Sequence, residues 1–387
     1  MRILDMRECA VAVQSSMRNA AFDFGEMTTS VVAVITDRVA DGKPVIGYAF
    51  NSTGRYACGD AMRARFIPRL LKAAPDSLLG QDGLIDPARA VARMAMREKP
   101  GGDAERSVPI GTIETAIWDA LAKTLRKPLW AVLAERYGTG PVANRIPCYV
   151  GGGWYQPEND LEKLQDELRR HLASGYTAVK IKTGGLSLDA DCRRLDAALA
   201  IIGDSQRLAV DANAAMDLPR ALAYAERLAP YNLRWFEEPV GVHAYGDFAR
   251  LAEAYAPPLA TGENLFCRQD VANLLEFAGF RPGCDILQVD PPQAYGIAAF
   301  AEMVALLEAH GGSRSRVFPH GGNMMSFAVS AGLGLGGCEA YPGVFGIFAG
   351  YGESMTVTDG TLNLPDLPGI GFEDQPGLYA LMQELAA

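Results

Sequence analysis

What most constrains this chain is a rhythm of short apolar runs. They fall at 146–150 (IPCYV), 178–182 (AVKIK), 208–211 (LAVD), 235–238 (WFEE), 259–262 (LATG), 286–290 (ILQVD), 317–320 (VFPH) and 339–341 (EAY). Most neighbours stand about thirty residues apart, with helical patterns such as 161–174 and 297–310 between them. Strand, helix and strand at that period predict parallel βα units, because a parallel partner strand needs a crossover long enough to hold a helix. Eight strand candidates fit a (β/α)8-type barrel. An open doubly wound sheet is the alternative. It ranks lower because no GxGxxG or phosphate loop follows the first strand.

Residues before 145 read differently. Runs at 2–12, 30–36 (SVVAVIT) and 44–50 (PVIGYAF) predict strands, and 60–73 and 111–124 predict helices. Strands followed by helices predict an α+β domain. The segment 355–366 reads as a short strand followed by Pro-rich turns that return to that first domain. At 387 residues the chain has room for two domains. Its 46 acids outnumber its 36 lysines and arginines, a net charge of −10 that excludes general attraction to nucleic acid or acidic membranes. There is no run of eighteen apolar residues and no basic–apolar–small leader, so neither a membrane span nor secretion is expected. Cysteines at 9, 58, 148, 192, 267, 284 and 338 form no CxxC or zinc-type cluster. Reduced thiols and a cytoplasmic location are therefore expected.

Polar chemistry gathers where the runs end. Lys180 and Lys182 end the second, and Asp211 ends the third with Asn213 just after it. Glu237 and Glu238 end the fourth, Glu263 follows the fifth, Asp290 ends the sixth and His320 the seventh. Asp211, Glu237 and Glu263 stand 26 residues apart, one βα unit each, so they converge on one rim. In such barrels that rim carries the active site. Three carboxylates without a thiolate or imidazole beside them suit Mg²⁺, with Ca²⁺ or Mn²⁺ as substitutes. The plainer reading is that each acid is a helix cap or a loop charge.

Lys180 and Lys182 sit two apart and so share a strand face, where like charges repel and are costly to bury. A cationic neighbour and a metal ion both lower a lysine's pKa, which would let one of them accept a proton near neutral pH. Lys182, nearer the rim, is the better base. Lys180, deeper, would touch a substrate carboxylate and restrain its neighbour's pKa. Asp290 and His320 end neighbouring strands, where the carboxylate would fix the imidazole tautomer and leave the other nitrogen free for proton transfer. One metal with Lys182 and His320 as bases is what removing a proton α to a carboxylate requires.

The KxK at 180–182, the acids at 211, 237 and 263, and the pair 290 and 320 resemble the enolase superfamily, mandelate racemase subgroup. The resemblance implies a modified TIM barrel, (β/α)7β, under an α+β capping domain. The cap would come from residues 1–140, the barrel from 141–350, and 351–387 would return to the cap. It implies Mg²⁺ on Asp211, Glu237 and Glu263, with Glu238 beside the metal ligands rather than among them. Residues 18–30, 51–56 (NSTGRY), 98–102 (EKPGG), 105–107 (ERS) and 318–322 (FPHGG) resemble the D-tartrate dehydratases of that group. That implies substrate contacts from Asn51, Arg55 and Lys99, beside Lys180, Asn213 and Glu339. Lys182 would take the α-proton, and protonated His320, paired with Asp290, would protonate the departing 3-hydroxyl to give oxaloacetate. Another acid-sugar dehydratase is the alternative within the class. A substrate without a leaving group would be racemised or epimerised instead. A Schiff-base aldolase and a non-catalytic sugar-acid-binding protein are the rival classes. Enzymes of this resemblance commonly assemble as dimers or octamers, and a small hydroxy acid is the expected partner.

Overall fold

The computed structural model describes residues 1–15, 17, 19, 23–52, 54–138 and 144–387. Three antiparallel strands come first: β1 (Ile3–Ala12), β2 (Thr28–Ala40) and β3 (Lys43–Phe50), in the order β1-β2-β3. β2 lies in the middle, and its residues Val31, Val32, Ala33 and Val34 are all buried. Burial on both faces is why that run is continuous rather than alternating. Helix Asp103–Thr124 packs against β2 and β3, with residues 106–122 buried throughout. It rides on β3 at Gly47, where a Cβ would stand 2.0 Å from the Ala116 carbonyl oxygen.

This helix starts at Asp103, ahead of the predicted 111, because Pro109 reads as a stop in sequence. Its other side meets the barrel turn 291–293, and that burial offsets the hydrogen bond Pro109 cannot make. The helix predicted at 60–73 is divided into Gly59–Ala61, a π turn at Met62–Phe66 and Ile67–Leu71. Pro68 has no N–H for a regular bond, and the ladder widens just before it.

The second sheet contains β4 (Arg145–Gly152), β5 (Val179–Lys182), β6 (Leu208–Asp211), β7 (Phe236–Glu237), β8 (Leu259–Thr261) and β9 (Ile286–Leu287), parallel and in chain order. The run at 317–320 is reduced to a parallel bridge between Leu287 and Val317, with the Phe318 and His320 N–H groups donating to the Leu287 and Gln288 carbonyls. β10 (Cys338–Ala340) then pairs in parallel with β4, Cys338 opposite Cys148, and carries the sheet back to its start. Inside, Tyr149, Ala178, Ala209, Trp235, Ala260, Ile286 and Phe318 form a separate buried cluster. Large rings and alanines fill the interior together, as a packed barrel requires. A helix follows each strand position except β10, after which only a short turn at Gly346–Phe348 appears. The architecture is therefore a (β/α)7β barrel under an α+β cap.

The tail departs from its predicted course. β11 (Val357–Thr358) and β12 (Thr361–Asn363) form a hairpin, and β12 pairs antiparallel with β4, Thr361 opposite Pro147. This stretch completes the barrel sheet and does not join the cap. Contact with the cap comes later, through helix Pro376–Ala386, which packs on β1 and β2. Asp119 accepts from the Ile370 N–H at 2.7 Å, and Lys123 pairs with Glu373 at 3.1 Å, which pins the tail to helix Asp103–Thr124. The expected boundary between 140 and 141 lies outside the described residues. Among the described residues no helix is long and apolar enough to cross a membrane.

Candidate active site

The inner cluster fixes which side chains reach the rim. Successive inward residues on a strand are two apart. Two positions beyond Ala178, Ala209, Trp235, Ile286 and Phe318 stand Lys180, Asp211, Glu237, Gln288 and His320, and two further on β5 stands Lys182. Glu263 falls off that count. It is reached through Gly262, whose φ of +132° turns the chain after β8.

The lysine pair is compensated in place. The Lys180 ammonium lies 2.5 Å from Glu237 Oε1, 2.7 Å from Glu339 Oε1 and 3.6 Å from Asp211 Oδ2. Lys182 Nζ lies 2.5 Å from Asp211 Oδ2 and 4.8 Å from the Trp154 ring centroid. Burial alone would pull the Lys180 pKa down, yet Glu237 and Glu339 hold it well above the ordinary lysine range. Lys180 is a permanent cation, suited to holding negative charge and not to taking a proton.

The acids form the opposing charge. Burial favours neutral Asp211, but Lys182 and Lys180 hold its pKa at about 2. Burial, with repulsion from Asp211, Glu339 and Glu263, raises Glu237 to about 7 against the pull of Lys180. Glu237 also accepts from the Trp235 indole at 2.8 Å and from Gln288 Nε2 at 2.7 Å. Burial and the negative charges of Glu263 and Asp211 push Glu238 well above its usual range. Asn264 Nδ2 donates to both Glu238 oxygens, at 2.9 and 3.0 Å, and lies 3.4 Å from Glu263 Oε1. Among the described residues no three His, Cys, Asp or Glu side chains stand gathered as a metal cage. Asp211 and Glu237 are instead turned onto the lysines. The donors are nonetheless all carboxylate oxygen and crowded enough to repel one another. That charge excess fits a hard divalent cation.

His320 completes the site. Its Nδ1 lies 2.9 Å from Asp290 Oδ2, and its Nε2 is 3.7 Å from Glu263 Oε2. Burial opposes the imidazolium, but Glu263 and Asp290 raise the His320 pKa to about 10. The Asp290 contact favours the imidazolium, which would donate to Asp290 through Nδ1–H and present Nε2–H as an acid.

Lys182, Asn213, Glu263 and His320 line one cavity with Arg55 of the cap. At about 30 Å³ it holds little more than a water or two. Asn213 donates from its backbone to Asp211 Oδ1 at 2.9 Å and from Nδ2 to Oδ2 at 3.2 Å. Lys180, Glu237 and Glu339 lie beneath, fully buried.

Four expected substrate contacts lie outside the cavity lining: Lys180 and Glu339 beneath it, and Asn51 and Lys99 elsewhere. Asn51 is fully buried, and its amide is spent on the Ser30 N–H at 2.5 Å, the Thr29 hydroxyl at 3.0 Å and the Arg55 carbonyl at 3.0 Å. It shapes the loop that carries Arg55 and does not face the cavity. Lys99 is exposed, outside the cavity lining, and its carbonyl is tied to Arg106. Of the two expected specificity loops, residues 18, 20–22 and 53 lie outside the described residues.

Sequence reasoning missed Trp154, Asn264, Gln293 and Tyr341, all of which line the cavity. Asn264 accepts from the Arg55 guanidinium while donating to the acids, so it ties cap to rim. Its position immediately after Glu263 was the available signal. For Trp154 the signal was the preceding triple glycine, GGGW at 151–154.

A family model described as enolase C-terminal domain-like matches residues 163–376. The arabinonate dehydratase of Saccharolobus solfataricus is 28% identical over 273 residues, 70% of each chain. The 3,6-anhydro-α-L-galactonate cycloisomerase of Streptomyces coelicolor is 29% identical over 339 residues, 87% of this chain and 88% of the other. The L-talarate/galactarate dehydratase of Salmonella typhimurium is 27% identical over 347 residues, 89% of this chain and 81% of the other. Among solved structures, a racemase from Streptomyces coelicolor with bound magnesium superposes with a TM-score of 0.76 at 24% identity, covering 97% of this chain and 98% of that one.

Proposed function

This chain belongs to the enolase C-terminal domain-like family, and from that premise we propose that it is a Mg²⁺-dependent dehydratase of acid sugars. The observation that carries the reading is one cavity lined by both Lys182 and a His320 whose Nδ1 is paired with Asp290. Dehydration needs a base at one carbon and an acid at the next. The names of two relatives, for arabinonate and for talarate or galactarate, support the class. They point to five- and six-carbon acids and give no support to D-tartrate, the substrate expected from the loop resemblance.

Asp211, Glu237 and Glu263 would hold the metal. When bound, Mg²⁺ would supply positive charge against the carboxylate as it becomes an enolate. Lys180, beneath the cavity and paired with Glu237 and Glu339, adds fixed positive charge under the developing enolate. Lys182 Nζ takes the α-proton. His320 Nε2–H passes its proton to the departing β-hydroxyl, which leaves as water, and the enol tautomerises to a 2-keto acid. Asp290 keeps the imidazolium oriented throughout.

A screen of mono- and diacid sugars with Mg²⁺ for 2-keto acid release tests this. Release that EDTA abolishes is the expected result. Isomerisation is the second reading, favoured by the cycloisomerase relative. It would show as α-proton exchange with solvent and a product of the same mass as its substrate, with no water lost. Borohydride trapping undiminished by EDTA would point to a Schiff-base aldolase instead.

A further inference from the structure

We propose that Trp154 is a substrate-binding residue whose indole N–H donates to an oxygen of the acid sugar beside the carbon that Lys182 deprotonates. This rests on the acid-sugar reading above. Trp154 directly follows three glycines at the end of β4. Gly153 has a φ of +63°, and a Cβ there would stand 2.5 Å from Ile181 Cβ. Its N–H donates to Glu167 Oε2 at 3.2 Å, and its carbonyl accepts from Arg194 Nη2 at 2.5 Å. With both polar atoms fixed, this turn delivers the next side chain to the cavity. Trp154 is 3% exposed and lines the cavity with Lys182 and His320.

Two features separate this indole from a packing residue. Its Nε1 is buried with no hydrogen-bond partner among the described residues. The other three tryptophans are satisfied: Trp118 donates to Glu114 at 2.7 Å, Trp235 to Glu237 at 2.8 Å, and Trp130 to the Pro365 carbonyl at 3.4 Å. Buried donors are rarely left unmet, and those that are mark sites awaiting a ligand, an ion or a water. The ring also faces the candidate base, with Lys182 Nζ 4.8 Å from its centroid, and Phe24 packs edge-on at 5.6 Å to hold its plane.

The same cavity carries two more unmet atoms, Arg55 Nε and Asn213 Oδ1. Two donors and one acceptor match a polyhydroxy acid, whose hydroxyls accept and donate and whose carboxylate accepts. An apolar ligand would leave all three unmet, which is how a polar site rejects it.

The test is calorimetric titration of the full chain with Mg²⁺, using galactarate, L-talarate, arabinonate, galactonate and D-tartrate as probes. Trp154→Phe keeps the ring and loses the N–H. It should weaken whichever acid binds the unsubstituted chain by about tenfold to a hundredfold, and leave the affinity for Mg²⁺ alone unchanged. Equal affinity for that acid would overturn the inference. Should Trp154→Phe fail to fold, the unsubstituted chain still decides. Saturating acid should shift its tryptophan emission, and an unmoved spectrum would overturn the inference. If none of the five acids binds the unsubstituted chain, the acid-sugar reading fails first and this inference falls with it.

Discussion

The barrel wall of the cavity carries its charges on strand ends, whereas the cap wall carries Arg55 on a loop. On the barrel side Lys182 and Asp211 stand 2.5 Å apart, Lys180 and Glu237 2.5 Å, and His320 and Asp290 2.9 Å. On the cap side the backbone is shaped by Asn51, and Arg55 reaches across to Asn264 and over the Phe266 ring at 4.8 Å. Proton transfer tolerates little misplacement, so its groups belong on elements whose backbone cannot shift alone. Admission of a ligand needs parts that move, and loops supply them. On the acid-sugar reading, chemistry would belong to the barrel, and selection to the cap and to residues such as Asn264 that join the two.

That contrast can be broken at its strongest point first. Lys182→Ala should lower 2-keto acid release by about 10²- to 10⁴-fold with the fold retained by circular dichroism. Next is the metal. Adding Mg²⁺ at about a hundred times its Kd should stabilise the chain by about 2.7 kcal/mol in thermal unfolding, and EDTA should remove the gain. The sign with pH follows from Glu237, whose folded pKa is raised to about 7 by burial and neighbouring acids. A raised carboxylate pKa means that the metal-free fold loses stability as pH climbs from the ordinary carboxylate range to about 7. The metal requires the ionised form, so its stabilisation should grow over that same window and shrink at pH 5.

The cap should respond differently. Arg55→Ala should raise KM about tenfold to a hundredfold and change kcat much less, because it removes a charged donor and leaves the proton-transfer groups standing. A fall in kcat matching that of Lys182→Ala would erase the distinction between the two walls. Lys99→Ala is the smallest: no change in KM, and stability within about 0.5 kcal/mol.

The same contrast explains what was legible in the chain. Barrel strands repeat at one βα unit and alternate in side-chain direction, so Lys180, Asp211, Glu237 and His320 could be placed on one rim from spacing alone. The run 317–320 could be placed but not its pairing, which is a single bridge. Loops have no period. Asn51 and Lys99 both look polar and free in sequence, yet the first is consumed by backbone groups and the second stands in solvent. Pro109 hid the start of a helix whose burial overrides it. Trp154 and Asn264 act through three-dimensional neighbours, and only their sequence contexts, a glycine run and an adjacent acid, marked them at all.

In the proposed reaction one side chain takes the α-proton and another releases the hydroxyl. Incorporation of deuterium at the α-carbon from D₂O, measured on a substrate found in the keto-acid screen, tests it most directly. His320→Asn should lose 2-keto acid release while still exchanging the α-proton, and Lys182→Ala should lose both. Exchange at the unsubstituted rate in Lys182→Ala would contradict the account.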